Sequence, residues 1–297
     1  MRKCYDSSTM DSELKQLSPQ EFPLLLREIP DRPKQIYVRG SLPSSEMKWL
    51  AVVGSRACTE YGRRALRYLI EGLRGYPVVI VSGLAYGIDA EAHRAALDTG
   101  LTTIGVPGSG LDWNVLYPRA NVALAREILQ KGGALLSEEK PETRAAEYTF
   151  PKRNRVMAGL SHATLMIEAR EKSGSLITAK LTTEYNRDLL IVPGSIFSEE
   201  SRGTHQFLRL GATAVTSPED ILIALGIAKR DGPSSLSALR SDLSPNELRV
   251  FNILVSPLSR DDLIQALGLP VSEANVLLST MEIKGLTVEE LGVIRMR

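Results

Sequence analysis

Residues 148–180, YTFPKRNRVMAGLSHATLMIEAREKSGSLITAK, contain the pattern that decides the fold. The short apolar run from Ala163 to Ile167 is typical of a strand buried on both faces of a sheet. Glu168 ends this run, and Ser173-Gly174-Ser175 then precedes a stretch with a helical period. A buried strand followed closely by a helix predicts one repeating unit of a parallel α/β sheet.

A basic segment precedes the same strand. Phe150-Pro151 predicts a break in regular structure, because proline lacks an N–H group and restricts the residue before it. Residues 152–155, KRNR, then place three cations and one asparagine in four positions. We interpret this segment as a basic turn that leads into a short helix.

The Ser173-Gly174-Ser175 segment predicts a second anion-binding turn. Small hydroxyl residues at a helix start leave backbone N–H groups and the positive end of the helix dipole facing outward. The two turns flank one strand, so we expect both at the same edge of the sheet. Taken singly, each turn also has an ordinary explanation, as a solvated Arg/Lys loop or a serine N-cap.

The rest of the chain up to about residue 225 repeats this alternation of strand and helix. Further apolar runs begin at Trp49, Val78, Thr102, Ala134, Leu189 and Thr213. Most of these runs end in small residues, and ligands bind at the carboxyl ends of strands in such sheets. The predicted fold class is therefore α/β, an extended Rossmann-like parallel sheet with helices on both faces. Neither G-x-G-x-x-G nor a Walker A sequence is present, so we predict no cofactor.

The character of the sequence changes after residue 225. Small and polar residues follow, and then three helical stretches and a candidate hairpin, which is the outline of a small C-terminal winged-helix-like domain. We predict an N-terminal extension over 1–48, a Rossmann-like domain over 49–225, a linker over 226–242 and the winged-helix-like domain over 243–297. Its third helix carries two Glu and one Lys. A DNA-reading helix is usually basic, so this pattern favours protein contact or a degenerate fold over DNA binding.

Whole-chain composition narrows the possible partners. The 297 residues carry 36 Lys and Arg against 35 Asp and Glu, a net charge of +1. Any nucleic-acid site must therefore be a local patch. Cys4 and Cys58 lie far apart and make no metal spacing, which is typical of a reducing cytoplasm. No apolar run reaches the roughly 20 residues that span a bilayer, so we expect a cytoplasmic protein with no membrane association.

Between residues 50 and 215, an ordered set of short motifs resembles the DNA-processing family DprA, also called Smf. Each motif is weak alone, but the unbroken order is specific. The motifs include Gly54-Ser55-Arg56, Ser82-Gly83-Leu84-Ala85, Gly87-Ile88-Asp89, Gly110-Leu111-Asp112, Phe150-Pro151, Arg153-Asn154-Arg155, Ser173-Gly174-Ser175 and Val192-Pro193-Gly194.

The resemblance implies a homodimeric single-stranded DNA-binding protein that acts in natural transformation and helps load a RecA-type recombinase. It implies no enzymatic activity, and we predict no catalytic residue and no metal ligand. The predicted DNA-binding residues are Arg56, Gly83, Phe150, Lys152, Arg153, Asn154, Arg155, Ser173 and Gly174. Cations there can neutralise phosphates, and Phe150 can stack on a base. The structural alternatives are core burial for Phe150 and an ion pair with Asp89 or Glu168 for Arg56.

Two other classes of function remain open. Nucleotide phosphoribohydrolases of the LOG type share a strand that ends in Pro-Gly-Gly and a following Gly-Thr with a catalytic Glu. This chain has Pro193-Gly194-Ser195 and Gly203-Thr204-His205-Gln206, so the second Gly and the Glu are missing. The other class is a protein-interaction module with a vestigial anion site.

Overall fold

The computed structural model describes residues 13–228, 243–254, 257–290 and 292–296. The chain divides into two units, Met1–Lys229 and Arg230–Arg297, and each is described by itself. Among the described residues, the first is built on a nine-stranded sheet, and the second on three helices and a three-stranded sheet. The predicted fold class, an extended α/β sheet with a winged-helix unit, is confirmed.

The sheet of the first unit is mostly parallel. From β6 to β9 in the sheet order β1-β2-β6-β5-β4-β3-β7-β8-β9, all neighbouring strands are parallel. The pairs β1–β2 and β2–β6 are antiparallel. The strands are β1 Leu14–Leu17, β2 Ile36–Gly40, β3 Lys48–Val53, β4 Val78–Ser82, β5 Thr102–Gly105, β6 Ala134–Ser137, β7 Ala163–Met166, β8 Asp188–Ile191 and β9 Thr213–Ala214.

The segment before residue 49 contributes to this sheet, although the sequence indicated only an N-terminal extension. β2 pairs with β6 from Tyr37↔Ser137 to Gly40↔Ala134, and β1 adds one further strand outside it. Ile36 and Val38 are buried in the core. Its strand pairing widens the sheet, and the buried side chains of β2 anchor the segment to the core.

Helices cover both faces of the sheet. α2, α3 and α8 pack on one face, whereas α1, α5, α6 and α7 pack on the other. The helices are α1 Leu24–Glu28, α2 Glu60–Glu71, α3 Ile88–Thr99, α4 Val122–Gln130, α5 Thr149–Leu160, α6 Ser175–Glu184, α7 Arg202–Arg209 and α8 Pro218–Ala224. Short 3-10 turns of the described residues lie at Pro19–Glu21, Arg119–Asn121 and Glu199–Ser201.

Helix α5 begins earlier than the sequence indicated. It contains Phe150, Pro151 and the whole of residues 152–155, so the prediction of a basic turn there is wrong. Proline is tolerated in the first turn, because the N–H groups of that turn have no partner inside the helix. With 3.6 residues per turn, the three cations of the segment leave the helix in different directions.

The second unit has the winged-helix outline predicted from the sequence. Its helices are α9 Pro245–Ile253, α10 Arg260–Leu267 and α11 Val271–Ile283, and its strands are β10 Leu258–Ser259, β11 Thr287–Glu290 and β12 Val293–Met296. The strands are antiparallel in the order β10-β12-β11. Ser244 caps α9 in the capping box that the sequence indicated.

The described cations of this second unit are already engaged. Arg249 donates to the Leu267 carbonyl at 2.6 Å, Arg260 pairs with Glu289, and Lys284 pairs with Glu247. Arg295 is not free either, because it takes part in a hydrogen bond, an ion pair or another close contact. Helix α11, at the position of a recognition helix, contains neither Lys nor Arg. The described part of the unit therefore offers no free cation to a phosphate chain, and protein contact stays a prediction.

A buried carboxylate fixes the start of α2 against the end of β7. Glu168 is only 2% exposed and accepts hydrogen bonds from the Thr59 backbone N–H, at 2.9 Å, and from its hydroxyl. The same hydroxyl accepts the Gly62 N–H and so caps the helix. A Cβ at Gly62 would overlap the Glu168 carboxylate, which explains the glycine in the first turn.

We predict that Glu168→Ala lowers the free energy of unfolding by about 2 kcal/mol, because two donors lose a charged acceptor. Glu168→Gln keeps one acceptor oxygen, so its loss should be smaller. The exposed Glu171→Ala serves as control and should stay within about 0.5 kcal/mol. Urea unfolding measures all three, and an unchanged midpoint for Glu168→Ala would contradict the assignment.

Candidate nucleic-acid interface

A cleft of about 590 Å³ opens at the carboxyl ends of β3, β4 and β7. These three strands are neighbours in the sheet, so the segments that follow them meet at one edge. The amino-terminal half of α5 closes the remaining side. The lining residues are Val53, Gly54, Ser55, Arg56, Ala57, Ala85, Asp89, Glu147, Phe150, Pro151, Arg153, Asn154, Met157, Arg170, Lys172, Ser173, Gly174, Ser175, Ile177 and Thr178.

Arg56 and Phe150 form the open part of the cleft. The Arg56 guanidinium lies over the Phe150 ring, 5.2 Å from its centroid, in a cation–π contact. The Tyr117 ring lies 6.1 Å from the same ring, tilted by 59°. Phe150 is half-buried and Arg56 is exposed. Phe150 is not buried in the core, and Arg56 forms no direct ion pair among the described residues, although it lies near enough to Asp89 to oppose the rise that burial causes in the pKa of that carboxyl.

Arg153 lies at the floor of the cleft and is held from several sides. Its side chain is 7% exposed and stands 3.8 Å from the Asp89 carboxylate. It donates to the Gly83 carbonyl, to the Val106 carbonyl at 2.9 Å, and to Asn154 Oδ1 at 3.1 Å. Burial raises the pKa of Asp89, and the guanidinium of Arg153 opposes that rise. Arg153 therefore braces the ends of two strands and has little surface left for a ligand.

The predicted pocket residues Gly83 and Asn154 support this floor. A Cβ at Gly83 would overlap the Arg153 guanidinium, so only glycine permits the approach. Asn154 accepts from Arg153 and donates from Nδ2 to the Gly174 carbonyl at 3.2 Å. Asn154 thus connects α5 to the turn before α6, and both residues act on the shape of the cleft.

The Ser173-Gly174-Ser175 turn lines the cleft and begins α6 as predicted, but most of its N–H groups are occupied. The Ser175 N–H bonds to Ser173 Oγ at 3.3 Å. The Leu176 and Ile177 N–H groups bond to the carbonyls of Ser173 and Gly174. The turn therefore presents fewer free donors than the sequence pattern indicated, since a tight first turn satisfies them internally.

Lys152 and Arg155 face away from this cleft. They line a separate polar pocket in which Lys152 pairs with Glu139 at 3.3 Å and Arg155 pairs with Glu138 and Asp31. Burial raises the pKa of Glu138 above its ordinary value, although the nearby Arg155 guanidinium opposes this rise. The structure thus brings Arg56, Phe150, Arg153, Asn154, Ser173 and Gly174 together around the cleft and places Gly83 beneath Arg153, while Lys152 and Arg155 lie elsewhere.

Sequence reasoning missed two cations of the cleft, Arg170 and Lys172. Arg170 pairs with Glu200, whereas Lys172 is exposed and has no ion pair among the described residues. Both lie between the end of β7 and Ser173, in a segment that the sequence placed at the sheet edge. Their positive charges in a segment already placed at the sheet edge could have identified them as cleft residues.

The histidine that is buried deepest among the described residues of the first unit has a structural role. Burial lowers the pKa of His93 to about 3, and its Nδ1 lies 2.7 Å from the Thr103 hydroxyl. This histidine is a neutral core residue. In residues 13–228 and the described stretches beyond them, no cluster of three His, Cys, Asp or Glu is placed to hold a metal. No described helix is long and apolar enough to cross a bilayer.

The fold and the cleft define a Rossmann-like protein with a cleft at one edge of its sheet and with a winged-helix unit in the same chain. The family model for DNA recombination-mediator protein A matches residues 14–226, and the model for the DprA winged helix domain matches residues 234–291. The chain belongs to the DprA/Smf family, as the motifs indicated.

Individual proteins of this family are similar to the chain in sequence and in structure. Protein Smf from Escherichia coli K12 is 38% identical over 285 residues, which cover 93% of this chain and 75% of that protein. An X-ray structure of DprA from Streptococcus pneumoniae is similar with a TM-score of 0.67 at 39% identity, covering 73% of this chain and 76% of that one. A structure of Helicobacter pylori DprA, described for its single-stranded DNA binding mode, has a TM-score of 0.64 at 28% identity and covers 73% and 98%.

The floor of the cleft yields a stability prediction. Arg153→Ala leaves Asp89 buried without its cation, which costs about 3–5 kcal/mol of unfolding free energy. Lys152→Ala, one position away on the same helix, removes a half-exposed ion pair and should cost less than about 1 kcal/mol. Urea denaturation of both variants tests this difference. Equal midpoints would show that Arg153 does not support the fold.

Proposed function

We propose that the chain binds single-stranded DNA in the cleft between β3, β4, β7 and α5 and acts as a recombination mediator. The contact of Arg56 with Phe150 carries the proposal. An exposed guanidinium that forms no direct ion pair among the described residues is available to a phosphate, and an accessible aromatic ring beside it can stack on a base. Such a pair suits an unstacked strand, whose bases are free to leave the helix stack.

The charges around the cleft support a site of small extent. Arg56 and Lys172 are the cations of the cleft without an ion pair among the described residues, and Arg170 shares its charge with Glu200. Two or three phosphate contacts follow from this set. The net charge of +1 is consistent with such a local site, because the rest of the surface adds no strong positive field.

Membership in the DprA/Smf family supports the same assignment, since a Helicobacter pylori relative is described as binding single-stranded DNA. We extend the proposal to natural transformation in the cytoplasm, to homodimer formation and to loading of a RecA-type recombinase. Sedimentation of the purified chain tests the dimer. A strand-exchange assay with strands precoated by single-strand binding protein tests the loading, and no stimulation of exchange would remove it.

We also propose that the chain is not an enzyme. The LOG-type alternative, nucleotide hydrolysis, requires a glutamate that this sequence lacks after Gly203-Thr204. His205 in that segment lies with its Nε2 3.1 Å from the Gly194 carbonyl. Incubation with nucleoside monophosphates, followed by chromatography for free base, tests this part, and released base would overturn it.

The extent of the site predicts a shallow salt dependence. A single strand releases about 0.7 counterion per contacted phosphate, so two or three contacts give a log–log slope near −1.4 to −2.1. Arg56→Ala should lower affinity about five- to tenfold and make the slope shallower by about 0.7. Fluorescence anisotropy of a labelled oligonucleotide measures both quantities.

Arg94→Ala is the matched control, because Arg94 is also exposed but pairs with Glu91 on α3, outside the cleft. It should leave affinity and slope unchanged. If Arg56→Ala behaves like Arg94→Ala, the cleft is not the DNA site.

A further inference from the structure

A second cleft, of about 650 Å³, lies beyond the first turn of α2. α2 supplies Glu60, Tyr61, Arg64 and Tyr68, and the ends of β8 and β9 supply Pro193 and Thr216. Tyr61 is 52% exposed and Tyr68 47% exposed, so two large aromatic side chains stand at a surface with no described residue covering them. None of these residues belongs to the cleft of Arg56 and Phe150.

The two clefts are consecutive along one edge of the sheet. The first spans the ends of β4, β3 and β7, and the second spans the ends of β8 and β9, which follow β7 in the sheet order. Ala57 lines the first cleft and Tyr61 the second. Four residues extend over at most about 14 Å, so a strand that leaves one cleft reaches the other within a few nucleotides.

The three side chains on α2 form one stripe. Positions 61, 64 and 68 are separated by three and four residues, which places them on the same side of the helix. Arg64 is exposed and has no ion pair among the described residues, in contrast to Arg63 and Arg67, which pair with Glu60 and Glu91. The stripe thus repeats the chemistry of the first cleft, an unpaired arginine next to accessible aromatic rings.

The residues around this stripe determine on which side of it a phosphate chain can lie. The Tyr61 hydroxyl donates to the Pro193 carbonyl, which holds the ring in place. On the far side, Glu219 and Asp220 of α8 are close enough to Tyr68 to contribute to a raised pKa of its hydroxyl, after burial as the main cause. Carboxylates there repel phosphates, so a phosphate chain is favoured beside Arg64, where the lining carboxylate Glu60 is paired with Arg63.

We propose that Tyr61, Arg64 and Tyr68 form a second subsite for single-stranded DNA, occupied by the nucleotides that leave the first cleft. The inference rests on the proposed function of the first cleft. Bases stack on the two tyrosine rings, and Arg64 contacts one phosphate. Stacking tolerates any base, so the subsite extends the length of strand bound without adding sequence preference.

The experiment compares strands of about 5 and about 15 nucleotides, a range that covers typical lengths of single-strand sites. Binding of the full chain is measured by anisotropy for Arg64→Ala, Tyr68→Leu and Tyr61→Leu. Each should weaken the long strand about five- to tenfold and leave the short strand unchanged. Arg64→Ala should also make the salt slope of the long strand shallower by about 0.7.

Two variants serve as controls on the same helix. Arg67→Ala removes an equal charge from a residue outside the cleft and should change neither strand. Tyr61→Phe keeps the ring but loses the hydrogen bond to the Pro193 carbonyl, so it should weaken the long strand less than Tyr61→Leu does. Photo-crosslinking of a long strand that carries iodouracil should label Tyr61 or Tyr68, as identified by mass spectrometry.

The outcomes separate this inference from the function on which it rests. If the short strand binds and the long strand binds no more tightly, with no loss in the variants, the second subsite is absent while the first stands. If neither strand binds, the proposed function fails first. If the variants dissociate an oligomer in sedimentation and lose affinity only through dissociation, the stripe is a contact between copies of the chain and the proposal is overturned.

Discussion

The buried pair of Arg153 and Asp89 is the interaction on which the cleft depends. A guanidinium that is 7% exposed and a carboxylate that is 6% exposed stand 3.8 Å apart at the floor. The same guanidinium binds the carbonyls that follow β4 and β5, so it fixes α5 to two strand ends at once. Because α5 carries Phe150, the position of the stacking ring follows from this pair.

The two arginines of the cleft, Arg153 and Arg56, have different roles. Arg153 is buried and surrounded by acceptors, so it determines shape, whereas Arg56 is exposed over Phe150 and remains available to a ligand. Gly83 permits the close approach of Arg153, and Asn154 passes its position on to the turn at Gly174. A rigid floor under a small accessible surface is suited to a ligand with a regular backbone and variable bases.

Much of the fold could be predicted from the sequence, because apolar runs and capping residues are local signals. The runs at Trp49, Val78 and Ala163 became β3, β4 and β7, and Thr59 and Ser244 are capping residues of a type that sequence alone can indicate. The directions of the cations in residues 152–155 could not be predicted, because they depend on where α5 begins. Proline at 151 indicated a break, but the first helical turn accepts it. Pairing of Lys152 and Arg155 with distant carboxylates is likewise a tertiary effect that no local pattern contains.

The central claim is that the cleft accepts an unstacked strand through Phe150 and Arg56. The most direct test is a competition experiment, in which a labelled single strand is displaced by unlabelled duplex or single strand of equal length at fixed salt. Because bases in a duplex are not free to stack on Phe150, the duplex should displace the label far more weakly than the single strand does. Equal displacement by the two competitors would contradict the account, since phosphate attraction alone would then explain the binding.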